Sequence, residues 1–257
     1  MIPSDRPAPS ASAPSVLRGC FVTGTDTGIG KTVVSAGILH ALARQGHRVA
    51  GMKPVASGCI ATPEGLRNDD ALVLQGESSV PLAYEAVNPC ALEPPIAPHL
   101  AAAEAGTAIG VDPLVRAARR LGAGADCLVV EGVGGWLVPL EGRATVADLA
   151  QALALPVVLV VGVRLGCLNH ALLTAESIQA RGVAFAGWVA NQVDPRAARV
   201  EGNIDTLRRR LPAPLLGIIP PFPEPPAAAD VAECLDRGML ERLAGGPPPE
   251  AFSPEMG

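Results

Sequence analysis

The chain has 257 residues, 49% of them apolar and 18% charged, and a formal net charge of −5. That length suits one α/β domain with a substantial core, and the acidic balance, with no basic stripe, speaks against nucleic acid or an anionic membrane as partner. No run approaches the roughly 18 or more apolar residues of a membrane helix; Val157–Val163 falls far short.

Residues 1–15 are rich in Pro, Ser and Ala but lack the apolar centre of a signal peptide, so they read as a disordered tail. A single domain is expected over 16–244 and a second, Pro/Gly-rich disordered tail over 245–257. The six cysteines, Cys20, Cys59, Cys90, Cys127, Cys167 and Cys234, contain no Cys-x-x-Cys pair. They read as free thiols in a reducing cytoplasm, not as a zinc site or a disulfide framework. With aromatics at 3%, the core must be built from Val, Leu, Ile and Ala.

In chain order, Val16–Thr23 reads as a strand and Thr32–Gln45 as a helix stopped by Gly46. Arg48–Met52 is a short strand leading into Lys53-Pro54-Val55-Ala56-Ser57-Gly58. Cys59 to Pro113 looks irregular apart from one helical piece, Asp70–Gln75, and long irregular connections are commonly functional or mobile. Leu114–Leu121 is helical, with Arg116, Arg119 and Arg120 on its wet side. Cys127–Val130 is a buried strand that runs into Glu131-Gly132-Val133-Gly134-Gly135-Trp136. A helix at Thr145–Leu153, a strand at Pro156–Val161 and a loop at Gly162–Asn169 follow. Then come a helix at His170–Ala180 and a strand at Ala184–Ala190 ending on Asn191. The remainder reads as a helix near Arg196–Leu211 with Arg208–Arg210 exposed, a strand at Pro214–Ile219 and a last helix around Asp230–Leu243. Alternating strands and helices imply a mostly parallel sheet flanked by helices, with ligands at the carboxyl ends of the strands.

Those strand ends carry the chemistry. Phe21 to Thr32 is an apolar run, a Gly-rich turn and Gly30-Lys31-Thr32 at a helix start, the form of a phosphate-binding loop. Its backbone N–H groups face phosphate, Lys31 adds a point charge and Thr32 offers a hydroxyl to Mg²⁺. The spacing departs from Gly-x4-Gly-Lys-Thr, because Thr25 stands five residues before Gly30 and Gly24 comes one position early. The chain as a whole is expected to be a P-loop-like three-layer sandwich.

Of the twenty basic residues only Lys31 and Lys53 are lysine. Arginine serves wherever a generic positive charge suffices, so a retained ammonium suggests a compact site where a guanidinium does not fit. Lys53 is therefore a candidate for site chemistry. Glu131 ends an apolar strand, where a carboxylate needs a partner, and Mg²⁺ beside Thr32 would provide one. Gly132, Gly134 and Gly135 allow close backbone approach. Asp69 or Asp70 could complete the metal shell, and spacing does not choose between them. Asn191 has the amide to read an adenine edge. His40 and His47 read as structural, and His99 and His170 have no metal-ligand partner at a suitable spacing.

Taken together, several stretches resemble one family. They are Val22-Thr23-Gly24-Thr25-Asp26-Thr27, Gly30-Lys31-Thr32, Gly51-Met52-Lys53-Pro54-Val55-Ala56-Ser57-Gly58, Thr62-Pro63-Glu64-Gly65-Leu66-Arg67-Asn68, Val130-Glu131-Gly132-Val133-Gly134-Gly135-Trp136, Leu165-Gly166-Cys167-Leu168-Asn169-His170 and Gly187-Trp188-Val189-Ala190-Asn191. From about Cys20 to Pro221 the chain is similar to the dethiobiotin synthetases, whose loop has the same Thr25 variant.

The resemblance implies an ATP- and Mg²⁺-dependent cyclo-ligase of biotin biosynthesis that converts 7,8-diaminopelargonate and CO2 to dethiobiotin, ADP and phosphate. It implies that Lys31 with Gly28, Ile29, Gly30, Thr32 and Val33 holds the triphosphate, with Gly132, Val133 and Gly134 beside it. Thr32, Asp70 and Glu131 would hold Mg²⁺, which selects Asp70 over Asp69. Lys53 would be the catalytic lysine beside Lys31, with Thr27 and Ser57 on the carbamate. Asn191 and Gln192 would face adenine, with Pro220, Pro221 and Phe222 near the base. Gly166, Cys167, Leu168 and Asn169 would come from a partner subunit to the substrate carboxylate, making a homodimer. Gly28 stands where the family commonly has an acid, and Gln192 where it commonly has Asp. Two other readings compete: a partner-switching ATPase, which needs a lysine where Thr25 stands, and an amidating synthetase of cobalamin synthesis, which needs a glutaminase domain.

Overall fold

The computed structural model describes residues 17–245. The expected tails, Gly245 excepted, and the start of the first strand at Val16 lie outside them. In order the elements are β1 (Gly19–Gly24), α1 (Lys31–Arg44), β2 (Val49–Met52), β3 (Val55–Ser57), β4 (Ile60–Thr62), β5 (Gly65–Arg67), α2 (Asp69–Gly76), α3 (Tyr84–Val87), β6 (Cys90–Leu92), α4 (Pro98–Glu104) and α5 (Val111–Gly122). They continue with β7 (Cys127–Glu131), α6 (Val146–Leu153), β8 (Val157–Gly162), α7 (Cys167–Ala180), β9 (Phe185–Asn191), α8 (Val200–Arg210), β10 (Leu215–Ile219), α9 (Ala228–Glu233) and α10 (Arg237–Leu243).

Six strands form one all-parallel sheet in the order β2-β7-β1-β8-β9-β10. Because successive side chains in a strand point to opposite faces, each strand feeds two cores. Cys20, Val22, Val129, Val158 and Val160 pack on one face with Ile38, Leu42 and Val231 from α1 and α9. Phe21, Leu128, Val130 and Val157 pack on the other with residues of α4, α5 and α6, and Leu159, Val161 and Trp188 join α7 and α8 on that same face. Strands buried on both sides carry near-continuous apolar runs, as Val157-Val158-Leu159-Val160-Val161 does.

β1 lies between β7 and β8, so its carboxyl end opens at a reversal of strand order, where such sheets bind ligands. The connections there are tied by main-chain bonds. Thr25 N–H donates to Val160 O (3.1 Å), Gly132 N–H to Val22 O (2.9 Å) and Val163 N–H to Asn191 O (2.7 Å).

Four regions differ from the reading of the sequence. The stretch from Cys59 to Pro113 is not irregular: besides the expected helical piece, which is α2, it holds the β4–β5 hairpin, helices α3 and α4, and β6, which pairs in parallel with β3 just upstream. The helix expected from His170 begins at Cys167, after Gly166 takes a left-handed conformation at φ 93°. The helix expected near Arg196 begins only at Val200, after left-handed Arg199. The last helix is two, because Asp236 N–H donates to Leu216 O (2.7 Å) and Leu235 bridges to Gly217, pulling the chain onto the sheet edge between α9 and α10. Arg116, Arg119, Arg120 and Arg208–Arg210 are exposed as expected.

Candidate active site

Lys31, Lys53, Thr32, Asp70 and Glu131, five residues from four separate segments, line one cavity of about 370 Å³ at the carboxyl end of β1. Glu131 is the last residue of β7 and is 1% exposed. Lys53 lies between β2 and β3 and is 3% exposed. Its Nζ donates to Glu131 Oε1 (2.5 Å) and Asp70 Oδ2 (2.8 Å), with Gly132 O at 3.4 Å. Thr32 Oγ1 donates to the same Glu131 Oε1 (2.9 Å), while Glu131 Oε2 is buried with no protein partner among the described residues. Asp70, in the first turn of α2, is partly exposed; Asp69 is exposed and does not line the cavity.

The electrostatics follow from this packing. Burial lowers the pKa of Lys53, but the facing carboxylates of Glu131 and Asp70 outweigh it, so the ammonium is held above its ordinary value. For Asp70, burial pushes upward and Lys53 pulls more strongly downward, leaving the carboxyl below its ordinary range. Lys31 has no such partner. Burial and the charge on Lys53 bring it down to about 8, and its Nζ donates to Asp26 O at 2.9 Å.

The loop is shaped by glycine. Gly30 caps α1 at φ 84°, and a Cβ there would stand 2.2 Å from Asn191 Nδ2. That approach lets Asn191 Nδ2 donate to Ile29 O (2.8 Å), joining the end of β9 to the loop. Gly28 is left-handed at φ 70°, a conformation that favours glycine. Asn191, Gln192, Pro220, Pro221 and Phe222 line an adjoining groove, and Val33 lines both the groove and the cavity.

Thr27, Gly28, Gly30, Ser57, Val133 and Gly134 also line the cavity. Ile29 and Gly132 do not; the Ile29 side chain is buried beneath the loop. Gly166, Cys167, Leu168 and Asn169 are absent from this cavity wall and instead form the first turn of α7 and its cap. The Cys167 side chain is buried, and this turn presents the backbone of a helix start. Reading the sequence missed Asn68, which caps α2 by accepting Ala71 N–H at 3.3 Å and lines the cavity. An Asn ahead of an apolar helical pattern is the signal that could have found it. Asp26, paired with Arg164 across the loop, carried no comparable signal.

A Gly-rich turn entering a helix through Lys-Thr at a central parallel strand, opposed by an acid from the neighbouring strand, defines a P-loop nucleotide-binding protein. The model of a family described as an AAA domain matches residues 18–227. A chain of the MinC:MinD cell division complex of Aquifex aeolicus superposes with a TM-score of 0.55 at 17% identity, covering 91% of this chain and 98% of that one, a likeness of fold. ATP-dependent dethiobiotin synthetase BioD of Pseudomonas aeruginosa (strain UCBPP-PA14) is 60% identical over 84% of this chain and 95% of its own length. Its namesake in Xanthomonas oryzae pv. oryzae is 56% identical over 81% and 93%. The chain belongs to the dethiobiotin synthetase family, which disposes of the partner-switching and amidating alternatives.

Proposed function

We propose that the chain is an ATP- and Mg²⁺-dependent cyclo-ligase that converts 7,8-diaminopelargonate, CO2 and ATP to dethiobiotin, ADP and phosphate. The observation that carries this reading is the meeting of Lys31, Lys53, Thr32, Asp70 and Glu131 in one cavity. One substrate amine adds to CO2 and loses a proton, giving a carbamate. A carbamate oxygen takes the γ-phosphoryl group as ADP leaves, and the second amine attacks the carbonyl carbon, closing the ureido ring with loss of phosphate.

Bringing a carbamate to a γ-phosphate opposes like charges; two unit charges about 4 Å apart repel by roughly 4 kcal/mol at an effective dielectric near 20. Lys31 and Lys53 offset this from fixed positions, so the chain's share of catalysis is placement and electrostatics. Gly28, Gly30 and Val33 offer main chain to the triphosphate, with Val133 and Gly134 opposite. Thr27 and Ser57 orient the carbamate. Asn191 has one N–H on Ile29 O and keeps an acceptor and a second N–H for an adenine edge, beside Gln192, Pro220, Pro221 and Phe222.

The donor set fits Mg²⁺: a hydroxyl and two carboxylates, one of which is that of Glu131 with its unpartnered buried Oε2, all hard oxygens, with room for phosphate and water to complete the shell. Thr32, Asp70 and Glu131 would hold the ion, which when bound neutralises charge on the transferring phosphoryl group. Because Gly166–Asn169 lies outside the cavity wall, the substrate carboxylate is best served by the same turn of a second subunit, in a homodimer. Six free cysteines suit a reducing cytoplasm, and no helix among the described residues is long and apolar enough to cross a membrane.

Phosphate release from ATP tests the reading. It should depend on both bicarbonate and diaminopelargonate and fall strongly in Lys53→Arg, although the charge is kept. Release independent of diaminopelargonate would sink the assignment, and a Lys53→Arg enzyme as fast as the parent would sink the role of the lysine.

A further inference from the structure

Lys53 and Asp70 meet in an ion pair at 2.8 Å although their segments share no strand, and a second set of bonds, behind the cavity wall, joins the same two segments. The short helix α3 sets Tyr84 and Asn88 four residues apart, on one face. Lys53 N–H donates to Val87 O (2.9 Å) and Asn88 Nδ2 donates to Lys53 O (2.7 Å), so both main-chain polar groups of the lysine end on α3. On the other side, Asn68 N–H donates to the Tyr84 hydroxyl (2.7 Å), and Asn68 is the cap of α2, whose first turn carries Asp70. The Tyr84 hydroxyl donates in turn to Asn88 Oδ1 (3.1 Å) and joins the two halves. Tyr84 is 7% and Asn88 3% exposed, and the Arg67 guanidinium lies 4.1 Å over the tyrosine ring. Tyr84 is the only tyrosine in the chain.

We infer that Tyr84 and Asn88 are positioning residues for the proposed reaction, a hydrogen-bonded brace that sets the Lys53 main chain against the helix bearing Asp70. The brace rests on the functional reading above and deepens it, since neither residue touches the cavity. Its logic is geometric. Each polar atom of the pair is used, and the one bond between them is the link that a hydroxyl alone supplies. Removing that hydroxyl leaves the ring in place under Arg67 while freeing the capped start of α2 to drift relative to Lys53. A drift of about 1 Å at a positioned group can slow a reaction by as much as 100-fold.

The test uses the full chain as parent, Tyr84→Phe and Asn88→Asp. Asparagine to aspartate keeps an acceptor for Tyr84 but loses the donor to Lys53 O. Initial rates are measured at saturating substrates and across Mg²⁺ concentrations, and ADP binding is measured by calorimetry with and without Mg²⁺. Expected for both variants are a cooperative melt, kcat down about tenfold or more and KM for ATP within about twofold. The factor by which Mg²⁺ tightens ADP binding should also shrink, a binding readout that a purely architectural role would not move. Folded variants with parental kcat and parental Mg²⁺ enhancement of ADP binding overturn the brace. So does a fall in kcat with that enhancement intact, or failure of both variants to fold. A parent lacking diaminopelargonate-dependent turnover would refute the functional reading instead, a separate outcome.

Discussion

Replacing Lys53 by Met removes an ammonium and keeps most of its volume, which isolates the electrostatic part of the site in the ligand-free protein. Two carboxylates lose their partner, unequally. Asp70 has 44% of its side chain exposed and returns to solvent at little cost. Glu131 has 0% exposed and keeps only the Thr32 hydroxyl on Oε1, with Oε2 already unpartnered. Stranding one member of a buried ion pair costs about 3–5 kcal/mol, and here nearly all of it should come from Glu131. Adding Glu131→Gln to Lys53→Met should recover most of that loss, because a buried amide is far cheaper than a buried unpaired carboxylate. Urea unfolding of the parent, both single variants and the double variant, followed by far-ultraviolet circular dichroism, measures the cycle. The reasoning fails if Lys53→Met stays within about 1 kcal/mol of the parent, an ordinary mutational effect, or if Glu131→Gln gives it no relief.

Other consequences follow from the same geometry. Asp70→Asn should lower kcat by at least about tenfold, about 1.4 kcal/mol of transition-state stabilisation, while Asp69→Asn leaves it nearly unchanged in the same initial-rate assay. Lys31 titrates near 8 without ligand, and phosphate favours its charged form. ADP binding should therefore take up close to one proton at pH 9 and weaken as pH rises through 8, visible as buffer-dependent binding heats. Since an unfolded lysine keeps its ordinary value of 10.5, this group binds more protons unfolded than folded between 8 and 10.5, and its contribution to stability rises with pH across that window. Gly30→Ala puts a Cβ 2.2 Å from Asn191 Nδ2 at φ 84°. It should add about 1–3 kcal/mol of strain, lowering the melting temperature and the affinity for ADP together.

What could be read in the sequence was what residue type encodes locally. A Gly-rich turn before Lys31-Thr32 and an acid at the end of Cys127–Glu131 declare themselves, and the scarcity of lysine singled out Lys53, which the structure places against that acid. The part read as irregular was hidden for a physical reason. β3 and β6 are three residues each and find each other across more than thirty positions, and the bonds from Asn68 to Tyr84 and from Asn88 to Lys53 span 16 and 35. Neither leaves any periodicity to detect. The break between α9 and α10 has a similar origin, since helix-compatible residues there give way to pairing with Leu216 and Gly217. At Gly166 the glycine that suggested a loop is instead the left-handed cap of α7.

The most direct test of the central claim follows the carbon. With ¹³C-bicarbonate, ATP, Mg²⁺ and diaminopelargonate, the protein should form a product carrying the label in its ureido carbonyl, one for each ADP released. ADP formation without label in any product would mean that the site hydrolyses nucleotide without closing the ring, and would contradict the account.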